Sequence, residues 1–138
     1  MPSVDFTAQY DYDAGPYVHL VYVPFRLFAA SNLPLAQRAV LDTGASFSVF
    51  DRALAPLIGI DDIESGEALD LRTANDEPHR AYLHDVQIEF LGFAMTVPVA
   101  FVPSWPEGID NVLGMYGFLD ELETALLGKQ KRLLAGRS

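Results

Sequence analysis

The stretch AVLDTGASFSVF, residues 39–50, decides how the rest of the chain is read. An apolar run, Ala39, Val40 and Leu41, ends on the carboxylate of Asp42, which is followed at once by the hydroxyl of Thr43 and by Gly44. A carboxylate at the end of a buried strand loses solvation, so it needs hydrogen-bond donors, a second protonation state or a partner. Gly44 permits a tight backbone turn. Ala45 and Ser46 continue the loop, with Ser46 expected to donate toward Asp42.

On the N-terminal side, residues 18–28 (VHLVYVPFRLF) are dense in β-branched and aromatic side chains. Pro24 within them predicts two strand pieces or an edge strand. Turn formers at 29–35 lead into a short strand over 38–41, giving a hairpin aimed at Asp42. On the C-terminal side Asp51 is predicted to cap a short helix that Pro56 kinks or ends and Gly59 terminates. Residues 69–73 and 82–90 alternate in polarity, with Val86, Ile88 and Phe90 on one face and Asp85, Gln87 and Glu89 on the other. The polar segment between them predicts a second hairpin with its tip at Asn75 to Pro78. A further apolar strand follows at 97–102, then a loop (SWPEGID), a short apolar run ending at Gly114, one or two helical turns over 118–123 and a final hairpin. The fold class is therefore all-β with one or two short helices, in a single domain spanning 1–138 with its core over about 18–134.

Composition narrows the function. Of 138 residues half are apolar and 20% charged, the balance of a packed globule. Nineteen acidic against nine basic residues leave a net charge of −10, which disfavours nucleic acid as a partner. The basic residues Lys129, Lys131, Arg132 and Arg137 near the C-terminus read as a solvated end or a dimer contact. With no cysteine there is no disulfide, thiol chemistry or zinc–thiolate site. The histidines, His19, His79 and His84, have no metal-ligand spacing, so neither metal nor cofactor is expected. Ser46 and Ser48 do not form a GxSxG elbow, and Gly114 and Gly117 do not form a phosphate-binding loop. Without a basic, apolar leader or a long apolar span, no membrane association is expected and the location is expected to be cytoplasmic.

Asp-Thr-Gly alone is a weak signal. Here it follows an apolar strand and is answered some seventy residues later by Val112, Leu113 and Gly114. With these residues the chain resembles the retropepsin-like aspartic proteases, the single-lobe group that includes the retroviral enzymes, over about residues 23–134. The resemblance implies a single-lobe acid-protease barrel and an aspartic endopeptidase. Asp42 would be the catalytic aspartate, Thr43 the residue whose hydroxyl ties two active-site loops together, and Gly44 the point of close backbone approach. Ala45 and Ser46 would complete that loop, and Val112, Leu113 and Gly114 would support it from beneath. Residues 71–83 would be the flap, contacting substrate through Thr73, Ala74, Asn75, Asp76, Glu77 and Pro78. Its tip has no glycine where many relatives do, and Tyr116 stands where relatives often carry an aspartate.

Hydrolysing an amide without metal or cysteine requires one group to take a proton from water and another to give one to the carbonyl. Two carboxyls sharing a proton do both, because like charges at about 3 Å cannot both ionise. Asp42 supplies one. No second Asp-Thr-Gly or Asp-Ser-Gly exists, and Glu64-Ser65-Gly66 has no apolar strand ahead of it. A two-lobed enzyme in one chain is thus excluded, and a homodimer acting on a peptide or protein is expected, each copy lending its Asp42. The competing expectation is a catalytically silent peptide-binding or dimerisation module.

Overall fold

The computed structural model describes residues 4–13, 20–73 and 75–137. Ten strands carry the described chain: β1 (Ala8–Asp11), β2 (Val21–Phe28), β3 (Pro34–Leu41), β4 (Ser48–Val49), β5 (Glu67–Arg72), β6 (Pro78–Phe90), β7 (Phe93–Phe101), β8 (Asn111–Leu113), β9 (Glu123–Leu127) and β10 (Arg132–Gly136). Four short 3-10 turns, Arg52–Leu54, Pro56–Ile58, Ile63–Ser65 and Leu119–Glu121, are the helical content among the described residues. The all-β expectation holds. No helix among the described residues is long and apolar enough to cross a membrane.

Seven strands form one sheet in the order β2-β3-β8-β4-β7-β6-β5, and β2 also pairs with β6 at Arg26 opposite Glu89 and Leu27 opposite Ile88, which curls the sheet into a barrel. An Arg26–Glu89 ion pair spans the closing seam. Of the two expectations, two strand pieces or an edge strand, the second describes Pro24: β2 is one piece and pairs there with β3 alone. Pro24 lies opposite Arg38 of β3 and sits ahead of the short β2–β6 seam, so its missing N–H interrupts no ladder across that seam. β3 starts at Pro34 rather than at Arg38, because Pro34, Ala36 and Arg38 face outward while the strand remains paired with β2 along its length.

The core follows from alternation. Val23, Phe25 and Leu27 of β2, Val86, Ile88 and Phe90 of β6, and Met95, Val97, Val99 and Phe101 of β7 point inward with Phe50, Leu113 and Phe118. Phe50 and Phe118 lie edge-on or tilted against Phe25, Phe101 and Phe90, and these fully buried rings supply much of the apolar area that stabilises the barrel. The far end of β7 departs from alternation, since Val99, Ala100, Phe101 and Val102 are all buried. Its odd residues face the barrel, while Ala100 and Val102 join Val49 and Ala81 in a second cluster roofed by Leu69, Leu71 and Leu83 of the β5–β6 hairpin. That double burial is why 97–102 reads as an unbroken apolar run.

The β6–β7 turn is the pair Leu91 and Gly92, both at positive φ, as a two-residue hairpin matching strand twist requires. It lets β7 start at Phe93, ahead of the expected 97, while β6 ends at Phe90 as expected. Asp51 does cap the first 3-10 turn, accepting from Ala53 N at 3.0 Å, whereas Pro56 opens a second turn instead of ending the first. The expected helical turn after 118 and the final hairpin are both present. β1, which sequence patterning left unassigned, pairs with β10 to complete a separate three-stranded sheet, β1-β10-β9.

Candidate active site

Asp42 leaves the end of β3 between two strands that run side by side. β3 and β8 are parallel neighbours, with Ala39 opposite Asn111, Val40 opposite Val112 and Leu41 opposite Leu113. Parallel pairing with a three-residue strand places two chain turns, 42–46 and 114–117, at the same edge of the sheet. Asp42 N donates to Leu113 O at 3.0 Å, Met115 N to Ala45 O at 2.9 Å and Tyr116 N to Ser46 O at 2.9 Å. Two main-chain bonds thus tie the turns to each other, and a third ties Asp42 to the end of β8.

The hydroxyl that completes this tie is Ser48's. Fully buried, Ser48 accepts from Gly114 N at 3.0 Å. Ser46 contributes its carbonyl, and its exposed hydroxyl makes no hydrogen bond to Asp42, contrary to the expectation for it. A backbone donor takes that place: Gly44 N donates to Asp42 Oδ1 at 2.8 Å, and Ala45 N donates to Asp42 O at 3.2 Å. A Cβ on Gly114 would lie 2.6 Å from Phe47 O and 2.7 Å from Ala45 O, so only glycine lets the two turns approach this closely. At Gly44 the nearest atom would be Asp42 Oδ1 at 3.2 Å.

Asp42 is half-buried, and Thr43, Gly44 and Ser46 are exposed around it. Its second oxygen, Oδ2, makes no hydrogen bond among the described residues. One carboxyl in this state accepts a proton or gives one, but not both in a single step. Beside the loop, Tyr116 packs edge-on against Phe47 at 5.6 Å. Met115 and Tyr116 are 38% and 53% exposed, a large apolar surface immediately next to a polar loop.

Of the expected flap residues, Thr73, Asn75, Asp76, Glu77 and Pro78 form the turn between β5 and β6, and Ala74 lies outside the described residues, as does His19. Thr73 N donates to Glu77 O at 3.1 Å and Asp76 N to Thr73 O at 2.9 Å. Asp76 adopts φ of 60°, the left-handed conformation that glycine would have taken more easily, and Arg72 binds its carboxylate at 3.2 Å. The turn therefore closes without glycine. Beneath the hairpin, His79 meets Trp105 edge-on at 5.5 Å.

Sequence reasoning missed the ties of the loop 103–110. Arg52 Nε donates to Trp105 O at 2.8 Å, and Gly108 N donates to Asp51 Oδ2 at 2.9 Å. Tyr22 Oη donates to Asp110 Oδ2 at 3.0 Å, which holds the tyrosine's pKa above its ordinary value, and the Arg38 guanidinium lies 4.3 Å over the Tyr22 ring. The buried side chain of Asn111 accepts from Asp51 N and donates to Arg38 O, at 2.9 and 3.2 Å. Asp51 was legible as a cap, but its second oxygen and the partners of Asn111 lie some sixty to seventy residues away in sequence. Among the described residues no group of three or more His, Asp or Glu could hold a metal ion.

A model of the family described as aspartyl protease matches residues 31–116, a span that takes in β3, the Asp42 loop, the β5–β6 hairpin and β8 with the residues up to Tyr116. A comparison with curated proteins finds no match. The chain belongs to the retropepsin-like aspartyl protease family.

Proposed function

From that membership we propose that the chain is an aspartic endopeptidase that works as a homodimer, with Asp42 of each copy forming a dyad that shares one proton. One carboxyl, ionised, takes a proton from water; the other, protonated, gives one to the scissile carbonyl as the tetrahedral intermediate forms. An extended peptide binds beneath the hairpin of residues 71–83, main chain against main chain as an added strand, with apolar pockets choosing side chains. Thr43 ties the two loops across the two-fold axis, and Val112, Leu113 and Gly114 hold each loop from below. The whole chain acts as one domain.

The observation that carries this reading is the placement of Asp42: a lone carboxylate on a loop fixed by main-chain bonds to the turn after β8, flanked by exposed Thr43 and Gly44 and by the exposed Met115 and Tyr116. A two-fold interface over that surface sets the loop beside its own copy without further sequence. Purified protein should cleave members of a peptide library with pepstatin-sensitive kinetics, and Asp42→Asn should lose that cleavage while keeping fold and sedimentation behaviour. Absence of any pepstatin-sensitive turnover between about pH 3 and 7 sinks the proposal.

The glycine-free turn, with Asp76 clasped by Arg72, favours one second reading, a peptide-binding module that does not turn over. Unchanged peptide affinity in Asp42→Asn together with no cleavage by wild type selects it.

A further inference from the structure

β6 does not have a strand on both sides along its whole length. β5 pairs with it as far as Leu83, and β2 takes up the pairing at Ile88 and Glu89, so residues 84–87 pair with β7 alone. An edge stretch of this kind offers main-chain N–H and C=O groups to a further strand. The turn Ile63–Ser65 closes the break at one end, since Ile63 O lies 2.7 Å from His84 Nε2. Against the rest of it, at Asp85 to Gln87, lies a cavity of about 340 Å³. The far wall is the turn after β2, fixed where Ala30 N donates to Leu57 O at 3.1 Å. Phe28, Ile58 and Ile60 line the cavity with apolar surface, and Gln87 and Thr96 line it with polar groups. Its charged lining group is Asp85, which is exposed and makes no ion pair among the described residues. Phe28 lies opposite Pro34, at the end of β3 away from Asp42, so about 25 Å of strand separates the cavity from the Asp42 loop.

We propose that this cavity is a docking site, remote from the Asp42 loop, for an extended basic segment of a partner protein, whose main chain adds along residues 85–87 of β6 while one of its arginine or lysine side chains enters the cavity. The inference goes beyond the peptidase reading and does not rest on it. Each part of the occupant answers a surface of the site. The open edge takes main chain, as in other cases of strand addition. Asp85 takes the cationic head, the Gln87 carbonyl and the Thr96 hydroxyl can accept its remaining N–H groups, and the aliphatic stem covers Phe28, Ile58 and Ile60. An acidic side chain would instead meet Asp85 with no cation in the lining to offset it. The net charge of −10 draws basic partners toward the chain from a distance. Because residues 78–83 of the same strand carry the β5–β6 hairpin and 88–89 close the barrel, an added strand bridges the break between the two.

The probe is a short, blocked, fluorescent peptide alternating valine and arginine, titrated by anisotropy into the full chain at about 0.15 M salt. Every sample carries Asp42→Asn, so that cleavage does not consume the probe, and is first checked for native circular dichroism. The arginine peptide is expected to bind, and the same peptide with glutamate for arginine, or N-methylated at every amide, is expected not to. Asp85→Lys should weaken binding about fivefold and Asp85→Asn less in the same direction, whereas Glu123→Lys, which changes the same charge on β9, should stay within about twofold. In amide-resolved spectra the peptide should shift residues 29–32, 58–60 and 84–87. No binding of the arginine peptide, equal binding of the glutamate peptide, or binding that survives N-methylation overturns the proposal. So do equal losses in Asp85→Lys and Glu123→Lys, which mark an unspecific charge effect, and shifts confined to residues 42–46 and the β5–β6 turn, which place the peptide elsewhere.

Discussion

The two turns that meet at the end of the sheet, 42–46 after β3 and 114–117 after β8, are built alike and equipped differently. Each leaves one of two parallel strands held in register, and each passes through a residue, Gly44 or Gly114, that the other turn or its own carboxylate would crowd if it carried a Cβ. One turn presents a carboxylate with an unengaged oxygen; the other presents Met115 and Tyr116 and carries no acid facing the first. The second turn is a support. The difference teaches that a single chain carries one carboxylate at this edge of the sheet together with the frame that positions it. The frame is local and the chemistry is proposed to be shared between copies.

Breaking the equipped turn should have the largest effect. Asp42→Asn keeps an oxygen that accepts from Gly44 N, so thermal stability should stay close to wild type while turnover of a peptide substrate falls by about a thousandfold or more. An equal fall in stability and activity would place the aspartate in the frame rather than in the chemistry.

Gly114→Ala attacks the supporting turn instead. The new methyl would press on the carbonyls of Phe47 and Ala45, backbone atoms that have no room to move without opening the tie, and a loss of about 3 kcal/mol in urea unfolding is expected. Wild-type stability in this variant would mean that the two turns separate freely.

Ser48→Ala sharpens the comparison. It removes the acceptor from a buried N–H and leaves Gly114 N unpaired, with an expected loss of about 2 kcal/mol. Ser46→Ala, one turn nearer the surface, should change stability by less than about 0.5 kcal/mol, because the carbonyl and not the hydroxyl of Ser46 makes the tie. Equal losses from both would contradict the assignment of the buried bond to Ser48.

The smallest effect lies farthest from either turn. Arg132 binds the Asp11 carboxylate at 2.7 Å across β1 and β10 and holds its pKa below the ordinary value near 3.9. A carboxylate whose folded pKa is depressed contributes stability above its unfolded pKa, and that contribution fades as pH falls through the lower folded value. The melting-temperature difference between wild type and Asp11→Asn should therefore be present at pH 7 and vanish in strongly acidic buffer. Both groups are exposed, so the difference at pH 7 should itself be small.

Much of the site was legible in sequence. Asp42 announced itself as a charge at the end of an apolar strand, Asp51 as a cap, and the segment around Asn75 to Pro78 as a turn, each from the residue and its immediate neighbours. Three features were not legible. Tyr116 sets its ring against Phe47 and its backbone N–H on Ser46, and no pattern in sequence encodes that pairing. Asn111 reads only as the polar start of a short apolar run until Asp51 and Arg38 are seen on either side of it. Trp105, between two prolines, reads as a surface or interface aromatic, and only the fold shows it packed against Leu69, Leu71 and Leu83 of the β5–β6 hairpin.

Local physics explains what the sequence alone determined: the strand ending at Asp42, the alternation of β6, the glycine and polar turns and the all-β class follow from side-chain period, φ preferences and capping within a few residues. Tertiary structure alone decided which of the two serines holds Gly114, that the far end of β7 is buried on both faces, that β1 joins β10, and that Trp105 packs against the β5–β6 hairpin. Each of these depends on a partner tens of residues away, and chain closure over such distances is fixed by the packing of the whole barrel rather than by any segment's own preference.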